Sequence, residues 1–381
     1  VRGLVQTAHP QTGRYPLVVT KGSAQARGVA YGRQAKTRIA YSLRNYERLF
    51  RHYADVDWVT ACRFAAGYGP VIEDYDASLV EEMQGIAEGA GCSYDDILTM
   101  NVRTEVMYGL GELRAAADCT AFAALPDATV DGHTIIGQNW DWHPSAFDSC
   151  VILASQPDDR PAFVTVVEAG LLAKMGMNDA GIGVATNAMV SDIDTGEPGI
   201  PYHVLLRALL TSTSFADAVS QVESVHRASS ANYLIASKDG SAVDLEVAPG
   251  DRDHVFPIHP DLGVIGHANC YVAPSVTVGD QTAELRPLGR IRQSAIDRHL
   301  QALAPDISLQ SIQSALCDHT DHPNSLCRHP LSQLDFMDRS ATVASVIMDL
   351  DLQTMWVAEG QPCCHPYRQV AMAEVSAAFA A

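Results

Sequence analysis

Cys119 is the side chain best placed for covalent chemistry. It heads the apolar run Cys119–Ala124, and a second run, Thr134–Asn139, continues into Trp140-Asp-Trp after a turn rich in Pro, Asp and Gly. Two such runs read as a β-hairpin, which brings Asp141, at the end of the returning strand, close to Cys119 at the start of the first. A thiol becomes a nucleophile as its thiolate, so a neighbouring carboxylate and a proton acceptor would matter there. Packing is the competing explanation for an isolated cysteine, since free cysteine is among the most buried residue types. A second candidate is Cys317-Asp-His-Thr-Asp-His-Pro-Asn-Ser-Leu-Cys-Arg-His, which gathers Cys and His in a short span and invites a zinc reading. Its spacing is not a standard ligand pair, so the expectation is a loop without metal, with Cys363-Cys-His-Pro a feature of the tail.

The surrounding elements fall in blocks. From about Ser23 to Glu112 the chain reads as helices, with apolar residues three and four apart in Val80 to Ile86 and Ile97 to Met107. Ser93 with Asp96 forms an N-cap pair for the second stretch. After Cys119 the texture becomes β-rich: Cys119–Ala124, Thr134–Asn139, Ala162–Glu168, Gly181–Thr186, Tyr233–Ala236 and Ala242–Val247. Helix returns over Pro201 to Val225, about Thr282–Leu303 and Ser308–Leu316, and two late strands follow at Ala341–Leu350 and Thr354–Ala358. Blocks of strands and helices, rather than strict alternation, favour α+β layers of antiparallel sheet flanked by helices over a doubly wound parallel sheet.

Composition excludes several function classes. With 47% hydrophobic and 19% charged residues the 381-residue chain has the makings of a large core, and no apolar run is long enough to cross a bilayer. Lys and Arg number 26 against 45 Asp and Glu, a net charge of −19 with no basic stripe, which argues against a nucleic-acid partner. Nine scattered cysteines in so long a chain point to a reducing, cytoplasmic setting rather than to disulfide staples.

Ordered motifs then identify a relative. Met100-Asn-Val-Arg-Thr-Glu-Val-Met-Tyr-Gly-Leu, Asp118-Cys-Thr, Gly137-Gln-Asn-Trp-Asp, Glu168-Ala-Gly-Leu-Leu-Ala-Lys-Met-Gly-Met-Asn, Ala180-Gly-Ile-Gly-Val, His267-Ala-Asn, Ser325-Leu-Cys-Arg and Arg339-Ser-Ala-Thr together resemble the acyl-CoA:6-aminopenicillanic acid acyltransferase family. These isopenicillin N acyltransferases are peptidase C45-like, self-cleaving relatives of the choloylglycine hydrolases. The resemblance implies an αββα N-terminal-nucleophile sandwich, and autoproteolysis at Asp118–Cys119. It thereby divides the chain into a helical segment 1–118, retained after release, and a β-rich segment 119–381, the two forming one catalytic unit. Cys119 would then be the nucleophile and its freed α-amine the base. Asp141 would hold the new ammonium, Asn269 would donate to the oxyanion with Asn187 as a second donor or substrate contact, and Arg339 would supply positive charge. Trp140 and Arg328 fall on the substrate side.

The expected reaction is hydrolysis of a linear amide through an acyl-Cys119 thioester, with acyl-CoA-dependent transfer as the alternative. Neither needs a metal or cofactor. An unprocessed binding protein on the same scaffold and a zinc hydrolase are the readings from other classes. Asp118, Ala248 and Asp338 stand where the penicillin-forming enzyme has Gly, Ser and Ser, departures that leave the nucleophile untouched but point away from a β-lactam substrate and from CoA use.

Overall fold

The computed structural model describes residues 15–111, 118–282 and 288–380. Strand β1 (Leu17–Gly22) leads into five helices, α1 (Ala24–Ala54), α2 (Trp58–Ala66), α3 (Gly69–Ala90), α4 (Tyr94–Asn101) and α5 (Arg103–Leu110). Ser93 and Asp96 form the expected capping box at the start of α4. The β-rich part opens with β2 (Asp118–Ala124), β3 (Ile135–Trp142), β4 (Cys150–Pro157), β5 (Phe163–Glu168), β6 (Met175–Asn178) and β7 (Ile182–Ala188). Next come α6 (Tyr202–Leu210), α7 (Phe215–Glu223), β8 (Ala231–Ser237), β9 (Ala242–Val247), β10 (Val255–Ile258) and β11 (Val264–His267). The chain closes with α8 (Gly289–Leu303), α9 (Leu309–Leu316), β12 (Ala341–Asp349), β13 (Thr354–Ala358), β14 (Tyr367–Ala371) and α10 (Met372–Ala380).

Two sheets face each other. The larger runs β1-β4-β5-β6-β7-β8-β9-β10 and the smaller runs β11-β2-β3-β12-β13-β14. Strands β2 and β3 pack on β7 across the sandwich, while α1, α6 and α7 cover the larger sheet and α8 covers β2 and β11 on the smaller. The layers are therefore αββα. All seven residues of β2 and all eight of β3 are buried, because each strand is covered on both faces. One pairing departs from the antiparallel expectation: β1 runs parallel to β4, with Leu17 opposite Ile152. The long connection through five helices and the hairpin permits that crossover.

The helical layer is pinned by a close crossing of α1 and α3. A Cβ on Gly28 would lie 2.2 Å from the Glu82 carbonyl oxygen, so the two backbones touch directly where a side chain would separate them. Beside the crossing, the buried Glu82 carboxylate accepts from Arg27 and from Arg207 of α6, each at 2.7 Å. These contacts fix the layer that delivers α5 to the sheets. Gly28→Ala is expected to destabilise the protein by about 1–3 kcal/mol, read as a fall in thermal midpoint. Gly67→Ala, whose nearest neighbour would be an oxygen at 3.4 Å, should be close to neutral.

Candidate active site

The β2–β3 register sets the geometry: Cys119 lies opposite Trp140, and Asp118 opposite Asp141. In the intact chain the Cys119 backbone N–H donates to Asn269 Oδ1 at 2.6 Å. Asn269 follows β11, which pairs along β2 with His267 opposite Ala121. Its Nδ2 donates to the Ala188 carbonyl at 2.7 Å. The asparagine thus presents its oxygen, not its N–H, to the cysteine nitrogen, and oxyanion donation would fall to the second N–H of the Nδ2 that holds Ala188.

Arg292, fully buried on α8, draws these groups together. Its guanidinium donates to the Cys119 carbonyl, to Thr120 Oγ1 at 3.1 Å, to Asn269 Oδ1 at 3.1 Å and to Asp118 Oδ1 at 2.8 Å. The other Asp118 oxygen accepts from Arg328. The helix can start here because Gly289 has no side chain: a Cβ would fall 2.4 Å from the Asn269 carbonyl oxygen.

Asp141 is buried, and Thr342 Oγ1 of β12 donates to its Oδ1 at 2.6 Å. Its Oδ2 is buried with no hydrogen-bond partner among the described residues. Burial pushes the carboxyl up to about 7, opposed by the charge of Arg292 and the Thr342 bond. Burial likewise raises the Cys119 thiol, against the lowering influence of Lys174 and Arg292 and the further raising influence of Asp141. The Lys174 ammonium stands 3.9 Å from the centre of the Trp140 ring, and burial pulls it down to about 8. A small cavity of about 20 Å³, room for about one water molecule, is lined by Cys119, Trp140, Trp142, Lys174, Tyr202 and, from α5, Arg103. It offers a thiol at an aromatic wall with two nearby cations, and residues from both sides of the 118–119 junction build it.

Of the expected site residues, Cys119, Asp118, Asp141, Asn269, Trp140 and Arg328 are brought together. Arg339 is not: its guanidinium closes its own loop by donating to the Leu334 carbonyl at 3.0 Å and the Ser332 carbonyl at 2.9 Å. From the motif Arg339-Ser-Ala-Thr it is Thr342, opposite Asp141 in the β12–β3 register, that reaches the site. The cations that act on Cys119 in the structure are Arg292 and Lys174. Asn187 lies behind the cavity, where its Nδ2 donates to the His267 carbonyl at 3.1 Å, so it braces the turn into Asn269. Arg292 shares the buried stripe of α8 with Ala295, Ile296 and Leu300, and a charged residue on an apolar stripe was the available signal. Lys174 was similarly visible inside the apolar run Leu171-Leu-Ala-Lys-Met.

The segment expected to be a metal-free loop brings potential ligands together. The ligand atoms of His319, Cys327, His329 and Cys363 all lie within 4.8 Å of one another. Sequence spacing hid the cluster because Cys363 arrives from the turn between β13 and β14.

Residues 128–363 match the family model "Acyl-coenzyme A:6-aminopenicillanic acid acyl-transferase", well over half of the chain. The chain belongs to this acyltransferase family. The match includes Asp141, Asn269, Arg292 and Arg328, while Asp118 and Cys119 lie just before it. The 40 kDa form of acyl-coenzyme A:6-aminopenicillanic-acid-acyltransferase from Emericella nidulans is 27% identical over 285 residues, covering 74% of this chain and 75% of that protein. An uncharacterized Archaeoglobus fulgidus protein is 28% identical over 184 residues, 42% of this chain and 30% of the relative. Among solved structures, a Caenorhabditis elegans N-acylethanolamine-hydrolyzing acid amidase ortholog aligns with TM-score 0.47 and 14% identity, over 61% of this chain and 94% of that one. Penicillin V acylase from Agrobacterium tumefaciens aligns with TM-score 0.42 and 12% identity, over 67% and 87%. The chain is an enzyme of the acyltransferase family, and among its described residues no helix is long and apolar enough to cross a membrane.

Two outcomes follow from the electrostatics. Folding raises the Asp141 pKa, so the stability linked to its proton is complete below the ordinary value of 3.8 and is lost as pH rises through about 7. In a Cys119→Ala chain, Asp141→Asn should therefore raise unfolding free energy at pH 8, by at most about 4 kcal/mol, with little gain at pH 4, as denaturant melts would read. Separately, Arg292→Ala should slow the enzyme's single-turnover reaction about 10–100-fold, the scale of a lost charge-assisted hydrogen bond. Arg339→Ala should change the same single-turnover rate less than about threefold.

Proposed function

We propose that the chain cleaves itself between Asp118 and Cys119 and then acts as a thiol amidohydrolase through an acyl-Cys119 thioester. The observation that carries this reading is the Cys119 nitrogen, held at 2.6 Å by Asn269 in the same buried site as an Asp141 Oδ2 that has no partner among the described residues. An unpaired buried carboxylate oxygen is costly, and an ammonium formed at Cys119 would satisfy it.

In self-cleavage the Cys119 sulfur attacks the Asp118 carbonyl carbon, the peptide C–N bond breaks, and the cysteine nitrogen takes up a proton as an amine. Water then hydrolyses the Asp118 thioester, releasing the carboxyl end of segment 1–118 and regenerating the thiol. The freed α-amine has an ordinary pKa of about 8, beside a thiol of about 8.5, so it can accept the thiol proton near neutral pH. An amide nitrogen cannot. Attack on a substrate amide gives the acyl-Cys119 thioester, the leaving amine departs with a proton, and water completes hydrolysis. Asn269 and Arg292 hold the terminal residue in place, Asp141 stabilises its ammonium, and the aromatic wall of Trp140, Trp142 and Tyr202 suits an apolar acyl group.

Acyl transfer is the second reading, favoured by the name of the matched family. The first half-reaction is the same, and an amine in place of water resolves the thioester. A small-molecule amide or an acyl-CoA would supply the acyl group.

The purified protein is expected as two fragments of 118 and 263 residues (381 − 118) that stay together without denaturant, while Cys119→Ala remains whole. Mass analysis reads both. A wild-type chain that is intact yet fully active would overturn the amine-as-base mechanism. Presenting amides and acyl-CoAs, each with and without an acceptor amine, separates hydrolysis from transfer by the product formed.

A further inference from the structure

We infer that His319, Cys327, His329 and Cys363 form a tetrahedral structural zinc site that holds Arg328 against the Asp118–Cys119 junction. Zinc bonds of about 2.3 Å to sulfur and about 2.0–2.1 Å to nitrogen define a tetrahedron with edges of about 3.8 Å between sulfurs, 3.3 Å between nitrogens and 3.5 Å between sulfur and nitrogen. All four ligand atoms lie within 4.8 Å of one another, and four of the six edges are close to that figure. Cys327 Sγ and Cys363 Sγ are 3.6 Å apart, and His319 Nε2 and His329 Nε2 are 3.1 Å apart. His329 Nε2 lies 3.7 Å from Cys327 Sγ and 3.2 Å from Cys363 Sγ.

Four groups meeting at such distances set two imidazole Nε2 atoms face to face and bring two thiols onto one of them. A cation at their centre resolves the crowding: both thiols release protons to solvent, and both histidines bind through neutral Nε2. Two thiolates balance the charge of Zn²⁺. Two sulfurs and two nitrogens with no carboxylate suit zinc over the oxygen-seeking Mg²⁺ or Ca²⁺, and four protein ligands close the site, as structural zinc requires. Metal binding here adds folding free energy rather than chemistry.

The position explains what the site would do. Cys327 and His329 flank Arg328, whose guanidinium pairs with Asp118. The Arg328 N–H donates to Thr342 Oγ1 at 2.8 Å, the Arg328 carbonyl accepts from the Thr342 N–H at 3.0 Å, and Thr342 Oγ1 donates to Asp141 at 2.6 Å. Two flanking ligands thus clamp the residue that pairs with Asp118 and, through Thr342, braces Asp141. Cys363 ties that clamp to the turn after β13.

Elemental analysis of protein purified without chelators or metal-affinity steps tests the site independently of any activity. One zinc per chain is expected. Cys327→Ser and His329→Asn should lose it, while Cys62→Ser on α2 keeps it. Cobalt substitution should give the absorption of a tetrahedral, thiolate-ligated ion. Should the ligand variants fail to fold, the wild-type stoichiometry and the cobalt spectrum decide. Folded wild type that takes up no zinc when offered it, a full equivalent of another metal, or a Cys327–Cys363 disulfide found by mapping would each overturn the assignment. Chelation should lower the thermal midpoint, with recovery on adding zinc. A midpoint unmoved after the metal is removed would deny the site its structural role.

Discussion

A carboxylate can sit at the centre of this protein only because two guanidiniums meet it there. Asp118 is buried on an interior strand, and without Arg292 and Arg328 its charge would have to be neutralised or the strand expelled. The pairing reaches from α8 on one side and the loop before β12 on the other. Both elements are thereby drawn to the first two residues of β2. The same guanidinium of Arg292 spans the Cys119 carbonyl and Asn269, so the ion pair that neutralises Asp118 also orients the candidate nucleophile.

The layers serve that arrangement. Pairing of β2 with β3 puts Asp141 beside the junction, pairing of β3 with β12 brings Thr342 to Asp141, and β11 on the other edge of β2 carries the chain to Asn269. Helix α5 from the far layer adds Arg103 to the cavity wall, where Glu168 pairs with it at 3.1 Å. Residues from before and after the junction therefore share one chemical space. A cut at that junction would leave the larger segment short of part of its pocket unless the smaller one stayed bound.

What the sequence disclosed follows from where local physics dominates. The β2–β3 hairpin was legible because apolar runs and turn residues are local signals, and β9 and β13 begin and end where their runs predict. Strands β1 and β11 were not, because each is defined by a neighbour far away in the chain. Of the six proposed site residues that lie together, Asp118, Cys119, Trp140 and Asp141 sit on that hairpin, while Asn269 and Arg328 come from loops that only tertiary packing brings in. Arg339 misled because its motif does reach the site, through Thr342 three positions on. Arg292 escaped because charge on a helix reads as solvated, and only tertiary packing turns that face inward. The 283–287 part of the helix expected from Thr282 lies outside the described residues.

The central claim is that chemistry passes through the sulfur of a Cys119 whose own amine is free. The most direct measurement is to quench the enzyme with a slow substrate at acid pH, digest it, and locate the acyl group by mass spectrometry. The account predicts a hydroxylamine-sensitive thioester on a peptide that begins at Cys119 with an unblocked α-amine. Acyl label on another residue, or on a Cys119 still joined to Asp118 in turning-over enzyme, would contradict it.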